Sequence, residues 1–249
     1  MHRYVVLAAM AALLGGCPVP QAPGPGEVHF LQEPQTGEKY YLYVPTKYSD
    51  KRDWPLVVTL HGTFLWDGPR RQVAAWEALA EKHEFLVAAP CLKSVQGMLP
   101  VLEDPWFRDL QADERVVLAV IDELQKKYRV DPQAVLLTGF SAGGYPLYYI
   151  GLRNPQRFSM LIARDCNSSI QIFEKIELAE EARDLPIAIF CGKDELVPVL
   201  QNQSWEAFRW LRLHRCYRTE RHEIRGGHLR RPEFACELWR KHLPPRYRP

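Results

Sequence analysis

The stretch Ala134–Gly144, AVLLTGFSAGG, decides the reading. Ala134–Thr138 is a short, unbroken apolar run bounded by a glycine, the pattern of a strand buried on both faces of a sheet. Gly139-Phe140-Ser141-Ala142-Gly143 follows at once and fits G-x-S-x-G. Ala142–Leu152 then has helical character and stops at Asn154-Pro155. Strand, glycine-flanked serine and helix in immediate succession describe a sharp turn that exposes a serine hydroxyl, with the glycines relieving the crowding. The hydroxyl also sits at a helix N-terminus, where developing negative charge is favoured.

Outward from this turn the chain keeps alternating. Tyr40–Val44 reads as an edge strand, and Pro55–His61, Phe85–Ala89, Ser159–Ala163, Ile187–Cys191 and Tyr217–Ile224 as further strands. Arg71–His83 lies between two of them with helical spacing of Val73, Trp76, Leu79 and Ala80. Asp113 reads as the cap of a helix with Val116, Val117, Val120, Ile121 and Leu124 on one face. Helices are also expected around Trp205–Leu213 and over Pro232–His242. This alternation predicts an α/β fold: a mostly parallel central sheet with helices on both faces. The long connection Cys91–Gln111 is a candidate functional loop. Residues 27–249 read as one domain.

A serine hydroxyl becomes nucleophilic only when a base takes its proton, and the base is a histidine oriented by a carboxylate. In this fold class the chain order is Ser, acid, His. Asp194 lies just past the strand that ends at Cys191, and His228, in Gly226-Gly227-His228, lies just past the strand that ends at Ile224. Both are at carboxyl ends of strands, where open α/β sheets build their sites. Ser141, Asp194 and His228 are therefore the expected catalytic residues. Glu195 adjoins Asp194 but fits the Asp-x-x-Val-Pro pattern less well, and Asp165 is the second choice for the acid. His61 is expected to be structural within its loop. The two backbone N–H donors of an oxyanion hole are expected from Ala142 and from the loop after His61, with Thr63 preferred and Gly62 or Phe64 as alternatives. Candidate substrate contacts are His61, Phe64, Trp106 and Tyr145. Neither a metal nor a cofactor is expected.

Composition narrows the classes further. The 249 residues are 47% hydrophobic and 25% charged, with 32 Lys and Arg against 30 Asp and Glu. A formal charge of +2 gives no basic excess suited to nucleic acid. The basic stretch Arg209–Pro249 reads as a solvated helix face and tail. Five cysteines follow Cys17, without CxxC spacing, which argues against a zinc site. Most of the five read equally well as buried thiols packed like small apolar side chains, and Cys216 and Cys236 are the preferred pair for a disulfide.

The N-terminus has its own signature. Arg3 precedes the apolar run Val5–Leu14, too short to span a bilayer, and Leu14-Gly15-Gly16-Cys17 resembles a bacterial lipoprotein cleavage box. Residues 1–16 then read as a signal peptide, Cys17 as the lipidated residue and 17–26 as a Pro/Gly-rich tether. The expected location is the cell envelope, with the membrane touched only through the lipid.

The Leu60-His61-Gly62 loop, the helix DERVVLAVIDEL from Asp113, the run YRVDPQAVLLTGFS from Tyr128 into Ala142-Gly143-Gly144, and Gly226-Gly227-His228 together resemble the α/β-hydrolases. The similarity is greatest to secreted poly(3-hydroxybutyrate) depolymerases, feruloyl esterases and acetyl-xylan esterases. It implies an α/β-hydrolase fold, hydrolysis of a small-molecule or polymer ester through an acyl-enzyme, and Ser141, Asp194 and His228 as nucleophile, acid and base. The stretch from Cys166 to Leu185 is too short for a large lid. A monomer is expected. A serine peptidase, or a non-catalytic binding protein on the same scaffold, are the competing readings.

Overall fold

The computed structural model describes residues 23–97, 103–195 and 198–248. Cys17 and the signal region therefore lie outside the described residues.

Eight strands form one sheet: β1 (Val28–Gln32), β2 (Lys39–Tyr43), β3 (Trp54–Leu60), β4 (Leu86–Pro90), β5 (Val130–Phe140), β6 (Met160–Arg164), β7 (Ile187–Gly192) and β8 (Thr219–Ile224). Their spatial order is β1-β2-β4-β3-β5-β6-β7-β8. β1 and β2 run antiparallel, as do β2 and β4, and the remaining pairs are parallel. β1 is an addition to the sequence reading: Tyr40–Val44 was expected at the edge, and β1 lies outside it.

Period-2 alternation builds two apolar layers. Leu56, Val58 and Leu60 of β3, with Val135 and Leu137 of β5, face one side. There they meet α2 (Asp104–Lys127), α3 (Gly144–Arg153) and α5 (Pro198–Leu213) through Val117, Leu147 and Leu211. Val57 and Leu136 face the other side and pack on Val73 and Trp76 of α1 (Pro69–His83) and Trp239 of α6 (Pro232–Arg240). Each such side chain, fully withdrawn from water, stabilises the fold by about 1.5–3 kcal/mol. Between β6 and β7 the chain carries only the short α4 (Ile170–Glu174) and a 3-10 turn, so no large lid is built there.

Three expectations need correction. Cys216 and Cys236 are both free, and they belong to the apolar layers on opposite faces of the sheet, which rules out a bridge. The fold begins before residue 27: Gly26 N donates to Val44 O at 2.8 Å, and the Tyr128 hydroxyl to Pro23 O at 3.1 Å, so these residues are bound to the body of the fold. Asp113 does not open a helix. α2 begins at Asp104, with Pro105 in its first turn where the missing N–H is harmless.

Asp113 instead sits fully buried within α2 and caps a neighbouring loop. Its carboxylate accepts from Lys93 N (2.7 Å), Ser94 N (3.0 Å) and Ser94 Oγ (2.6 Å). The same loop accepts Trp106 Nε1 at Ser94 O and Phe64 N at Val95 O. Helix α2 thereby fixes the loop that borders the turn after β3.

Burial pushes the Asp113 carboxyl from the ordinary 3.8 up to about 6, against the pull of these hydrogen bonds. Between those values the folded state binds more protons than the unfolded chain, so this group's contribution to stability falls as pH rises through the window. Asp113→Asn should remove that dependence. In thermal unfolding followed by circular dichroism, the gap in Tm between wild type and variant should shift in the variant's favour from about pH 4 to about pH 7. A gap that stays flat across this window contradicts the assignment.

Candidate active site

β5 ends at Phe140, and Ser141 follows with φ of 54°, in the left-handed region. A non-glycine residue there costs about 1–2 kcal/mol and persists only where its surroundings enforce it. The enforcement is the close approach of backbone on both sides. A β-carbon on Gly139 would lie 2.5 Å from Gly143 O, and one on Gly143 would lie 2.6 Å from Leu60 O and 2.7 Å from His61 O. The two glycines of G-x-S-x-G are thus required by contact, and they let β3, β5 and the start of α3 close around the serine. Asn167 N donates to Ser141 O at 2.9 Å and holds the turn from the β6 side.

His228 lies past β8, its ring 4.7 Å from that of Phe140. Its Nδ1 lies 3.0 Å from Oε2 of Glu195, whose side chain is fully buried. With Nδ1–H directed to the carboxylate, Nε2 is left as the basic nitrogen. Ser141 and His228 line one cavity of about 490 Å³. Among the described residues no hydrogen bond joins the Ser141 hydroxyl to the imidazole. Such contacts commonly tighten when substrate arrives.

The carboxylate beside the histidine is therefore Glu195, which corrects the expectation of Asp194. Asp194 is exposed, and its Oδ2 accepts from Gly226 N at 2.9 Å. It clips the turn after β7 to the loop carrying His228. These loops touch so closely that a β-carbon on Gly192 would lie 2.2 Å from Gly226 O. Asp165, the second choice, makes no hydrogen bond to His228 either. Its Oδ1 accepts from Gly192 N (2.6 Å), and its Oδ2 accepts from Arg231 Nη1 (2.7 Å) and Leu229 N (3.3 Å). Burial pushes its carboxyl above the usual range, against these donors.

Asp165, Cys191 and Glu195 bring two carboxylates and a thiol within 4.8 Å of one another. The carboxylates face Arg231 and His228, and burial pushes the Cys191 thiol up to about 12. That donor set is committed to holding the His228 loop and suits a cation poorly.

The three backbone donors weighed after β3 now separate. Gly62 N donates to Asp67 Oδ2 at 2.7 Å and Phe64 N to Val95 O at 3.1 Å. Thr63 N has no acceptor among the described residues, and Thr63 lines the Ser141 cavity.

The four candidate substrate contacts lie away from that cavity. His61 is fully buried and acts as a strut: Nδ1 lies 2.8 Å from Gly62 O, and Nε2 accepts from Leu92 N at 3.2 Å. Burial lowers its pKa and keeps it neutral. Trp106 and Tyr145 are buried edge to face at 5.6 Å. Phe64 is exposed over a separate groove shared with Phe30 and Tyr41. The walls around Ser141 come instead from Trp66, Asn167, Val199, Leu200, Leu229 and Arg230. Most of them sit a few residues from a strand end or from His228, the one signal that could have found them.

Comparison with known proteins agrees with this architecture. The chain is 28% identical over 120 residues to a bifunctional acetylxylan esterase/xylanase from Neocallimastix patriciarum, covering 48% of this chain and 16% of that protein. It is 27% identical over 110 residues to poly(3-hydroxyalkanoate) depolymerase C from Paucimonas lemoignei, covering 42% and 26% respectively. It therefore spans well under half the length of these relatives. Among solved structures, a ferulic acid esterase from Anaeromyces mucronatus superposes with a TM-score of 0.64 at 13% identity, covering 91% of this chain and 92% of that one. A fluorophosphonate-binding serine hydrolase from Staphylococcus aureus superposes with a TM-score of 0.63 at 15% identity, covering 87% and 98%. The fold is that of the α/β-hydrolases. A family model described as a putative esterase matches residues 32–243, from the end of β1 to beyond α6, and the chain belongs to this esterase family.

Proposed function

We propose that this protein hydrolyses carboxylic esters through an acyl-enzyme, with Ser141 as nucleophile, His228 as base and Glu195 as the orienting acid. The observation that carries the reading is the shared cavity wall: a serine in the left-handed region and a carboxylate-paired histidine open onto the same space. Nε2 of His228 takes the Ser141 proton as Oγ attacks the ester carbonyl. The carbonyl oxygen becomes an oxyanion facing the N–H groups of Ala142 and Thr63, each such donor being worth about 3 kcal/mol. The imidazolium, steadied by Glu195, returns the proton to the leaving alcohol. Water then repeats the sequence on the acyl-enzyme and releases the acid.

The cavity mouth is apolar, with Trp66, Val199 and Leu229 all exposed at its rim. This supports an ester with an apolar portion, presented by a small molecule or by a polymer. The names of the two relatives point to acetylated xylan and polyhydroxyalkanoate as the first polymers to try. The Leu14–Cys17 box supports export with a lipid on Cys17.

Three measurements test this reading. Ser141→Ala should lower hydrolysis of p-nitrophenyl acetate by more than about 10³-fold while the protein stays folded; near-normal turnover in the folded variant removes the mechanism. Glu195→Gln should cost about 10²–10⁴-fold in kcat, whereas Asp194→Asn should stay within about threefold of wild type. The reverse order would restore Asp194 as the acid. Cys17→Ser should move the protein, expressed with its leader in a bacterium, from the membrane fraction to the soluble fraction. A variant retained on the membrane refutes the anchor.

A further inference from the structure

One buried carboxylate outside the triad touches both halves of the site. Asp67, 3% exposed, accepts from Gly62 N (2.7 Å) and Gln72 Nε2 (2.6 Å) on Oδ2. On Oδ1 it accepts from Arg230 Nε (2.9 Å) and Nη2 (2.7 Å). Gly62 directly precedes the proposed oxyanion donor Thr63, and it presses on the nucleophile: a β-carbon on Gly62 would lie 3.0 Å from Ser141 Cβ. Arg230 is two residues past His228, and both Asp67 and Arg230 line the Ser141 cavity.

Behind this clasp the network continues into the sheet. Gln72 Oε1 accepts from Thr59 Oγ1 (2.8 Å) and from Arg164 Nη2 (2.7 Å). Arg164, fully buried, also donates to Thr138 Oγ1 (2.8 Å) and to Arg230 O (3.1 Å). The pair Asp67–Arg230 is thus anchored to β3, β5 and β6, the strands that carry the turn after β3 and the nucleophile.

We propose that Asp67 is a positioning residue: by holding Gly62 N with one oxygen and Arg230 with the other, it sets the Thr63 N–H and the His228 loop as one unit. A neutral amide could satisfy Gly62 N alone. A carboxylate is needed to bind a backbone donor and a guanidinium at once. The proposal rests on the assignment of Ser141, His228 and Thr63 above.

The test compares Asp67→Asn, Arg230→Met, Arg230→Lys and the double variant Asp67→Asn/Arg230→Met in the full chain. It reads kcat and KM on p-nitrophenyl acetate and the inhibition constant of a trifluoromethyl ketone, whose serine adduct carries an oxyanion. Asp67→Asn should lower kcat by about 10–100-fold with KM within about threefold, and should weaken the ketone by a similar factor. The double variant should be no worse than Asp67→Asn, and Arg230→Lys should recover part of the loss in Arg230→Met. A fall in Tm with kcat and ketone inhibition unchanged overturns the proposal. If Asp67→Asn fails to fold, Arg230→Met keeps the buried carboxylate and must still lower kcat; unchanged kcat there overturns the coupling. Ser141→Ala separates the two levels. An inactive Ser141→Ala beside a fully active Asp67→Asn removes only the clasp, whereas an active Ser141→Ala removes the esterase reading itself.

Discussion

The close passage of Gly143 against the carbonyl oxygens of Leu60 and His61 governs the architecture around Ser141. The serine stays in a costly backbone conformation because β3 and β5 are neighbours, with Leu60 in register with Gly139. Any side chain at Gly143 would push β3 and the start of α3 apart. The adjacency also delivers the loop after β3 beside Ser141, so Thr63 reaches the cavity as a consequence of strand order. The same logic runs the other way across the sheet. β6, the next neighbour, brings Asp165 and Asn167 to the turn, and β7 and β8 bring Glu195 and His228. The loops contribute the groups, and the sheet sets the separation between them.

Much of this was legible because the buried parallel strands have unbroken apolar runs and the G-x-S-x-G turn has only one strand-to-helix context. β1 was not, since a five-residue strand with mostly exposed or half-exposed positions has little hydrophobic pattern to read. Asp113 misled for a physical reason: an aspartate before a periodic apolar face satisfies the local rule for a helix cap. Only the tertiary structure shows its carboxylate turned away to Lys93 and Ser94. Asp194 and Glu195 pose the same problem at shorter range. Successive side chains at a strand end leave in different directions, and composition does not say which turns inward. Asp194, at the tip, caps Gly226, and the longer Glu195 side chain reaches the imidazole.

The basic C-terminal stretch was read as a solvated surface, and for most of its arginines charge counting supports nothing more specific. Arg230, Arg231 and Arg246 are different because each meets a buried aspartate, Asp67, Asp165 and Asp131 respectively, contributed from elsewhere in the chain. Exposed pairs are worth about 0–1 kcal/mol, but removing one partner of a buried pair strands a charge and costs about 3–5 kcal/mol. Arg164 is held differently, by neutral acceptors. Burial pulls it down to about 10, so it remains charged at neutral pH, and it is tolerated because its N–H groups meet hydroxyl, amide and carbonyl oxygens.

This pairing also bears on Glu195. Asp165 and Glu195 lie within a few ångströms of each other in the interior, and two uncompensated carboxylates there would repel. Arg231 pairs with Asp165 at 2.7 Å and offsets its charge, and the carboxylate that bonds His228 is Glu195. Asp165 meanwhile uses its remaining acceptors on Gly192 N, at the end of β7, and Leu229 N, next to His228. The carboxylate that does not bond the histidine thus joins Asp194 in tying the end of β7, which leads to Glu195, to the loop that carries His228.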